Sequence, residues 1–272
     1  MMISTTMERQ NKISGKRIKT FFSDKSRAGK IIRTELAVCF WILVWFAAAS
    51  LANRNLMLKI PQPWETVATL FRDFGDPVFW KAAGTSVMHI LLGYLAAVAL
   101  GFIGGMMSGI NGWFRSFSAP LMYVIRAVPV AAFVIIAWLW IPNDILPACI
   151  SGLMVLPIIW GHVDSGLLSI DPHYTDMAQT DGAGKWRSGF FIYLPMIHNQ
   201  VRIGCLNGFG IAWKAGVAAE VICNPTGSLG ALLQKAKTGI DFPQVFAVTL
   251  AVVGISVLIE FVMKTIWRPL DL

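Results

Sequence analysis

Seven ionisable side chains lie inside apolar runs of this sequence: His89, Arg126, His198, Arg202, Lys214, Glu220 and Glu260. Each is costly in hydrocarbon, about 2.5–3.5 kcal/mol for Arg or Lys on insertion scales, so each needs a partner, a polar cavity or a task. Arg126 and Lys214 carry the charge to attract an anionic or zwitterionic solute. They could equally bridge to Glu220 or bond backbone carbonyls. Arg126, Lys214 and Glu220 are therefore the candidate pathway residues for a small polar solute. Glu220 follows Lys214 by six positions, which puts the two about 120° apart on an ideal helix and makes them poor intrahelical partners. Glu260 and Lys264 are spaced i, i+4 in the favourable order and read as a structural pair. His89 and His198 read as satisfied residues of a helix bundle.

No catalytic constellation accompanies these charges. HExxH and GxSxG are absent, and no carboxylate pair is set up for acid–base work. Gly184–Lys185 has the centre of a phosphate-binding loop, but Gln179 and Trp186 stand where that loop needs glycine and Ser/Thr. The chain is therefore expected not to hydrolyse ATP. Cys39, Cys149, Cys205 and Cys223 have no CxxC spacing and no histidine near enough for a zinc site. They read as buried small hydrophobes, with no metal ligand among them.

The elements that must carry these charges are apolar helices. Hydrophobic residues make up 56% of the 272 and charged residues 14%, against roughly 25% charged in soluble domains. A membrane-crossing helix needs about 20 mainly apolar residues. Six runs are candidates: Leu36–Ala52, Val87–Gly109, a third within Ala119–Ile141 interrupted by Pro129, the somewhat short Leu146–Trp160, a fifth within Phe190–Ile222, and Val245–Trp267. The first ends in small residues suited to signal-peptide cleavage, but its charged leader is too long, so an uncleaved anchor is expected. Six spans place both termini on one side.

Charge chooses that side. Residues 1–34 hold nine Lys/Arg against Glu8 and Asp24, a large part of the net charge of +8. With Phe21–Phe22 as its only aromatics, and leading directly into a span, this tail reads as a cytoplasmic flank on anionic lipid and not as a nucleic-acid binder. The inner side would also hold Arg115, Lys185, Arg187, Lys264 and Arg268, against Arg54, Lys59, Arg72, Lys81, Lys235 and Lys237 outside. Both termini are thus expected in the cytoplasm.

Between the first two spans, IPQPWETVATLFRDFGD places Val67, Leu70, Phe71 and Phe74 at helical spacing. An amphipathic surface helix or a packed outer loop would fit. The second span is dense in small residues, with Gly101, Gly105 and Gly109 spaced as GxxxG, and Gly204 and Gly208 repeat that spacing in the fifth. Such residues allow close helix packing in lipid. Pro129, Pro142 and Pro195 are candidate kink points.

SIDPHYTDMAQTDGAGKWRSGFFIYLP is the longest polar stretch between spans on the inner side. Asp171 suits an N-cap, Pro172 the first helical position and Gly182 the helix end. Tyr174, Met177 and Ala178 give the resulting short helix a less polar stripe. The helix reads as a docking element for a soluble partner, or as an ordinary loop helix on the membrane.

This loop resembles the EAA loop of binding-protein-dependent ABC importer permeases. That pattern runs E-A-A, three residues, G, nine residues, then I-x-L-P. Asp176, Met177 and Ala178 take the first places, Gly182 the glycine, and Ile192, Tyr193, Leu194 and Pro195 the close. Asp replaces Glu and Met replaces the first Ala. IPQPWETVATL, the Arg126–Pro129 stretch and AWKAGVAAEVICNPTGSLG are similar to segments of the sulfonate, taurine and nitrate branch. Lys214 is less typical there, and Ser228 adds a residue within the glycine turn.

The resemblance implies an all-α integral membrane fold of about six transmembrane helices, an ABC importer permease-type (MetI-like) bundle. Residues 1–34 would be the basic tail and 35–272 the permease domain, with an EAA-type coupling loop at about 161–189. Asp176, Met177, Ala178, Gly182, Ile192, Leu194 and Pro195 would form the ATPase-coupling element. It implies two permease chains, expected to be a homodimer, with ATP-binding cassette subunits below and an extracytoplasmic solute-binding protein above. The cofactor, ATP with Mg, would belong to the ATPase, with none in this chain. The expected cargo is sulfonate-, taurine- or nitrate-like, or a vitamin precursor, carried across the cytoplasmic membrane. A membrane scaffold holding a soluble partner, or a secondary transporter, is the alternative; inverted repeats would mark the latter, and none is visible.

Overall fold

The computed structural model describes residues 27–53, 59–171, 173 and 193–267. Among these residues the ordered elements are helices: α1 (Arg27–Ala52), α2 (Pro63–Phe74), α3 (Pro77–Ile110), α4 (Gly112–Ala127), α5 (Val130–Trp138), α6 (Leu146–Leu168), α7 (Leu194–Cys223), α8 (Leu229–Thr238) and α9 (Phe242–Trp267). The described residues up to Glu65 and those from Thr66 onward form two compact units.

In the first unit, α1 exposes Leu36, Phe40, Trp41 and Leu43, as a helix meeting lipid does. Asn53 holds the chain beyond it, exchanging two hydrogen bonds of 3.2 Å with the Ile60 backbone. The Gln62 amide donates to Glu65 Oε2 at 3.0 Å, the returning half of a capping box at the start of α2.

In the second unit, α2 turns Leu70 toward Phe79 and Val248 and leaves Phe71 70% exposed. The amphipathic reading of this segment thus gives a helix with much of its apolar face uncovered. Gln244 at the start of α9 ties α2 down, donating to Asp73 at 2.7 Å and accepting from Arg72 at 3.5 Å.

Helix α3 begins ten residues before the expected Val87, because Asp76 caps it by accepting from the Val78 amide at 2.8 Å and Pro77 fits its first turn. Its 34 residues extend about 50 Å, well beyond the ~30 Å of hydrocarbon.

Helix α6 is the axis of the bundle. The glycine face of α3 lies against it, so close that a Cβ at Gly101 would sit 2.9 Å from Ile159 Cβ and one at Gly105 2.7 Å from Val163 Cβ. From α7, Gly204 faces His162 and Gly208 faces Val155. Ile90, Tyr94, Val155, Ile159, Phe209 and Trp213 fill the space between the three helices. Tyr94 donates to the Cys205 carbonyl at 3.0 Å, and Trp213 to the Val252 carbonyl at 3.1 Å. Close backbones and interhelical hydrogen bonds are what hold helices together in lipid.

Gly105→Val should therefore lower stability by about 1–3 kcal/mol, the usual cost of overpacking. Gly84→Ala, whose added methyl meets nothing within 4 Å, should stay within about 0.5 kcal/mol of the parent or gain stability. Thermal unfolding in detergent measures both; equal losses would contradict the packing described.

Four described helices, α1 from Arg33, α3, α6 and α9, are long and apolar enough to cross a membrane, or five if α4 and α5 form one broken span. Helix α7 has 30 residues but carries Arg202, Lys214 and Glu220. Helix length and composition thus do not establish all six expected spans. The third segment is not straight: α4 and α5 meet at 99°. Pro129 lacks an amide and pushes Val128 to extended geometry, φ −76° and ψ 129°, which ends α4. Pro142 and Pro195 lie at helix starts. Pro142 accepts the Ile145 and Leu146 amides in the turn before α6, and Pro195 sits in the first turn of α7. Of the cysteines expected to be buried, Cys205 and Cys223 are; Cys39 and Cys149 are exposed on outward helix faces.

Candidate functional site

Two regions carry the candidate residues. The first is the polar stretch after α6. This helix runs to Leu168, eight residues past its expected end, so residues 161–168 of the expected coupling loop are helix. Arg115 at the start of α4 braces that end. Its Nε donates to Asp164 Oδ1 at 3.0 Å and its Nη2 to the Gly109 carbonyl at 3.3 Å. The two residues are 49 positions apart, and no local spacing rule pairs them. The Asn111 side chain accepts from the Trp113 and Phe114 amides, which starts α4 in the orientation Arg115 needs.

Asp171 does what its sequence position predicts: Oδ1 accepts the His173 amide at 2.9 Å. Asp176, Met177, Ala178, Gly182 and Ile192 lie outside the described residues. Leu194 and Pro195 are described, and they open α7. The final residues of the motif therefore open the helix that carries Arg202, Lys214 and Glu220.

The second region comprises the charges within the bundle, and the structure does not gather them into one cluster. Arg126 donates from Nη2 to the Pro157 carbonyl of α6. A Cβ at Gly161 would come within 2.6 Å of that guanidinium, so glycine is what leaves it room. Lys214 is exposed on α7 and has no hydrogen-bond or ion-pair partner among the described residues. Asn207, Ile211 and Ala218 share its face at helical spacing and are exposed too. A lysine ammonium directed at lipid is costly.

Glu220 points the other way and is fully buried, at 0% exposure. Its Oε2 accepts from Ser86 Oγ at 2.6 Å and from the Gly230 amide at 3.1 Å, and Oε1 lies 3.5 Å from His89 Nδ1. Ser86 Oγ in turn accepts the Leu229 amide at 2.8 Å. The carboxylate is committed to α3 and to the first turn of α8, and pairs with neither Arg126 nor Lys214. The expected Glu260–Lys264 pair forms, at 2.5 Å. His198 lies against Trp267 with ring centroids 5.7 Å apart. Among the described residues no three His, Cys, Asp or Glu side chains converge to hold a metal.

The model of the binding-protein-dependent transport system inner membrane component matches residues 90–268, about two thirds of the chain. The taurine transport system permease protein TauC of Escherichia coli (strain K12) is 25% identical over 236 residues, covering 84% of this chain and 85% of that one. The nitrate import permease protein NrtB of Leptolyngbya laminosa is 25% identical over 220 residues, covering 74% and 75%. Among solved structures, a chain of the bacterial alginate ABC transporter in complex with an alginate pentasaccharide-bound periplasmic protein superposes with a TM-score of 0.60. It covers 92% of this chain and 98% of that one at 13% identity, a likeness of fold.

Proposed function

This chain belongs to the family of binding-protein-dependent transport system inner membrane components, and from that premise we propose that two copies enclose a pathway for a small anionic or zwitterionic solute. The chain is the membrane permease of an ABC importer; ATP hydrolysis belongs to a separate subunit. The family works with such an ATPase and with a solute-binding protein.

The observation carrying the solute class is Lys214, exposed and without a partner among the described residues, with Glu220 occupied elsewhere. A lysine on a wall shared by two copies would present two positive charges to the solute. In a site of low dielectric such charges favour anions strongly. The taurine and nitrate relatives support the same class, a sulfonate-, taurine- or nitrate-like cargo. Calorimetry on the cognate binding protein tests it. Binding of taurine, another sulfonate or nitrate is the expected result, and a cationic ligand would refute the charge argument.

In the working cycle, the short helix from Pro172 to Gly182 takes up the closing motion of the ATPases. Asp176, Met177 and Ala178 sit on it, and Ile192, Leu194 and Pro195 pass the movement to α7. Both termini then lie in the cytoplasm, where the basic residues 1–34 meet anionic lipid. Single cysteines introduced in a cysteine-free background report this orientation. Gln62→Cys and Thr226→Cys should react with an impermeant maleimide in intact cells, and Gln10→Cys and Gln179→Cys should not. Labelling of Gln179→Cys from outside would reverse the assignment.

A further inference from the structure

Glu220 is a fully buried carboxylate whose bonds all go to packing partners, and it faces away from Lys214. We infer that Glu220 is a positioning residue: together with Ser86 it fixes the N-terminus of α8 on α3 and α7, so that α8 moves with those helices during transport. The pose follows from geometry alone, and the movement rests on the importer reading.

The first amides of a helix have no partner within it. In α8 three side chains supply partners. Ser228, the N-cap, accepts the Ala231 amide at 3.0 Å; Ser86 of α3 accepts Leu229 at 2.8 Å; Glu220 of α7 accepts Gly230 at 3.1 Å. Two of the three come from other helices, so the start of α8 is defined by its neighbours. A carboxylate also suits this place because helix N-termini carry partial positive charge. Contact is equally close in the backbone. A Cβ at Gly230 would lie 2.7 Å from both the Glu220 carbonyl carbon and the Val221 nitrogen. Leu229, fully buried, packs with Phe79, Ala82, Ala83, Val248 and Ala251. The turn joining α7 to α8 is shaped to fit, with Asn224 at φ 52° and Gly227 at φ 69°, and Ser228 Oγ donates to the Pro225 carbonyl at 3.3 Å. The far end of α8 has no such hold: Lys235, Lys237 and Ile240 are exposed.

The test compares Glu220→Ala, Glu220→Gln, Ser86→Ala and Gly230→Val in the full transporter with its ATPase. Hydrogen exchange in detergent reads the pose. Glu220→Ala and Gly230→Val should speed exchange in the segment 225–238 by about tenfold or more, the worth of a lost hydrogen bond to a charged group, and leave 146–168 as in the parent. Ser86→Ala, the mildest change, should do so at Leu229 and keeps the test available if Glu220→Ala does not fold. Glutamine can still accept both bonds, so Glu220→Gln should retain the parent's exchange. In vesicles, Glu220→Ala should lower maximal uptake at an unchanged apparent KM for the solute. Unchanged exchange at 225–238 in both Ser86→Ala and Gly230→Val would overturn the inference. So would a Glu220→Gln variant whose KM shifts as Lys214→Gln shifts it, since the solute would then sense the charge. Exchange does not depend on transport, so a parent that carries no solute would refute the importer reading and leave the pose standing.

Discussion

Gly182→Val should lower solute-stimulated ATP hydrolysis by about tenfold or more, because a β-branched residue is strained in the left-handed conformation with which helices commonly end. Gly182 stands where the EAA-type pattern places its glycine, six residues after Asp176. The geometry on either side frames it. Asp171 already caps a first turn by accepting from the His173 amide, and α7 opens at Leu194. A glycine at the end of the proposed coupling helix would make the turn back toward α7 without strain. The bundle itself does not depend on this position, since its core is built from α3, α6 and α7. The variant should therefore insert and unfold as the parent does, yet fail to hold or respond to the ATPase. A pull-down beside an ATPase assay in vesicles checks this. Normal binding with normal stimulation would contradict it. Asp176→Ala removes one polar contact and keeps the helix end, so its effect should be smaller.

Lys214→Gln should lower uptake efficiency, kcat/KM, by about tenfold or more, the usual worth of a hydrogen bond to a charged group. The prediction rests on what surrounds Arg126 and Lys214. Arg126 is engaged by the Pro157 carbonyl, and the carboxylate at 220 is engaged by Ser86 and Gly230. Lys214 is exposed with no partner among the described residues. Lys214→Arg keeps the charge and should restore most of the uptake, while Arg126→Gln should act chiefly through the α4–α6 contact. Uptake counts only for variants with unchanged assembly and basal ATP hydrolysis. If Lys214→Gln and Arg126→Gln both transport as the parent does, the charges are structural and the anion argument falls.

Reading the sequence works best in this chain where chemistry is local. Pro129 breaks its segment, Asp171 caps, Glu260 pairs with Lys264, and the spaced glycines of α3 mark a helix contact. Other local signals compete with one another. Asp76–Pro77 is a helix start written in the sequence, but Lys81, Thr85 and Ser86 interrupt the apolar run and moved the apparent boundary to Val87. Gly161, His162 and Asp164 made the end of α6 look like loop, although a helix tolerates them when Arg115 braces the last turn. Ser228, an extra residue within the glycine turn, is the N-cap of α8. What could not be read is long-range. Ser86 and Glu220 meet across 134 positions, and hydropathy contains nothing that assigns a buried glutamate to another helix's amides instead of to a lysine six residues away.

The most direct test of the importer reading is reconstitution of the chain in vesicles with its cognate ATPase and binding protein. With ATP supplied on the ATPase side, solute delivered by the binding protein should accumulate inside right-side-out vesicles against its gradient. Omitting ATP, or replacing the ATPase with a hydrolysis-dead variant, should abolish accumulation. Accumulation that persists without ATP and collapses with the proton or sodium gradient would contradict the account and make the chain a secondary transporter.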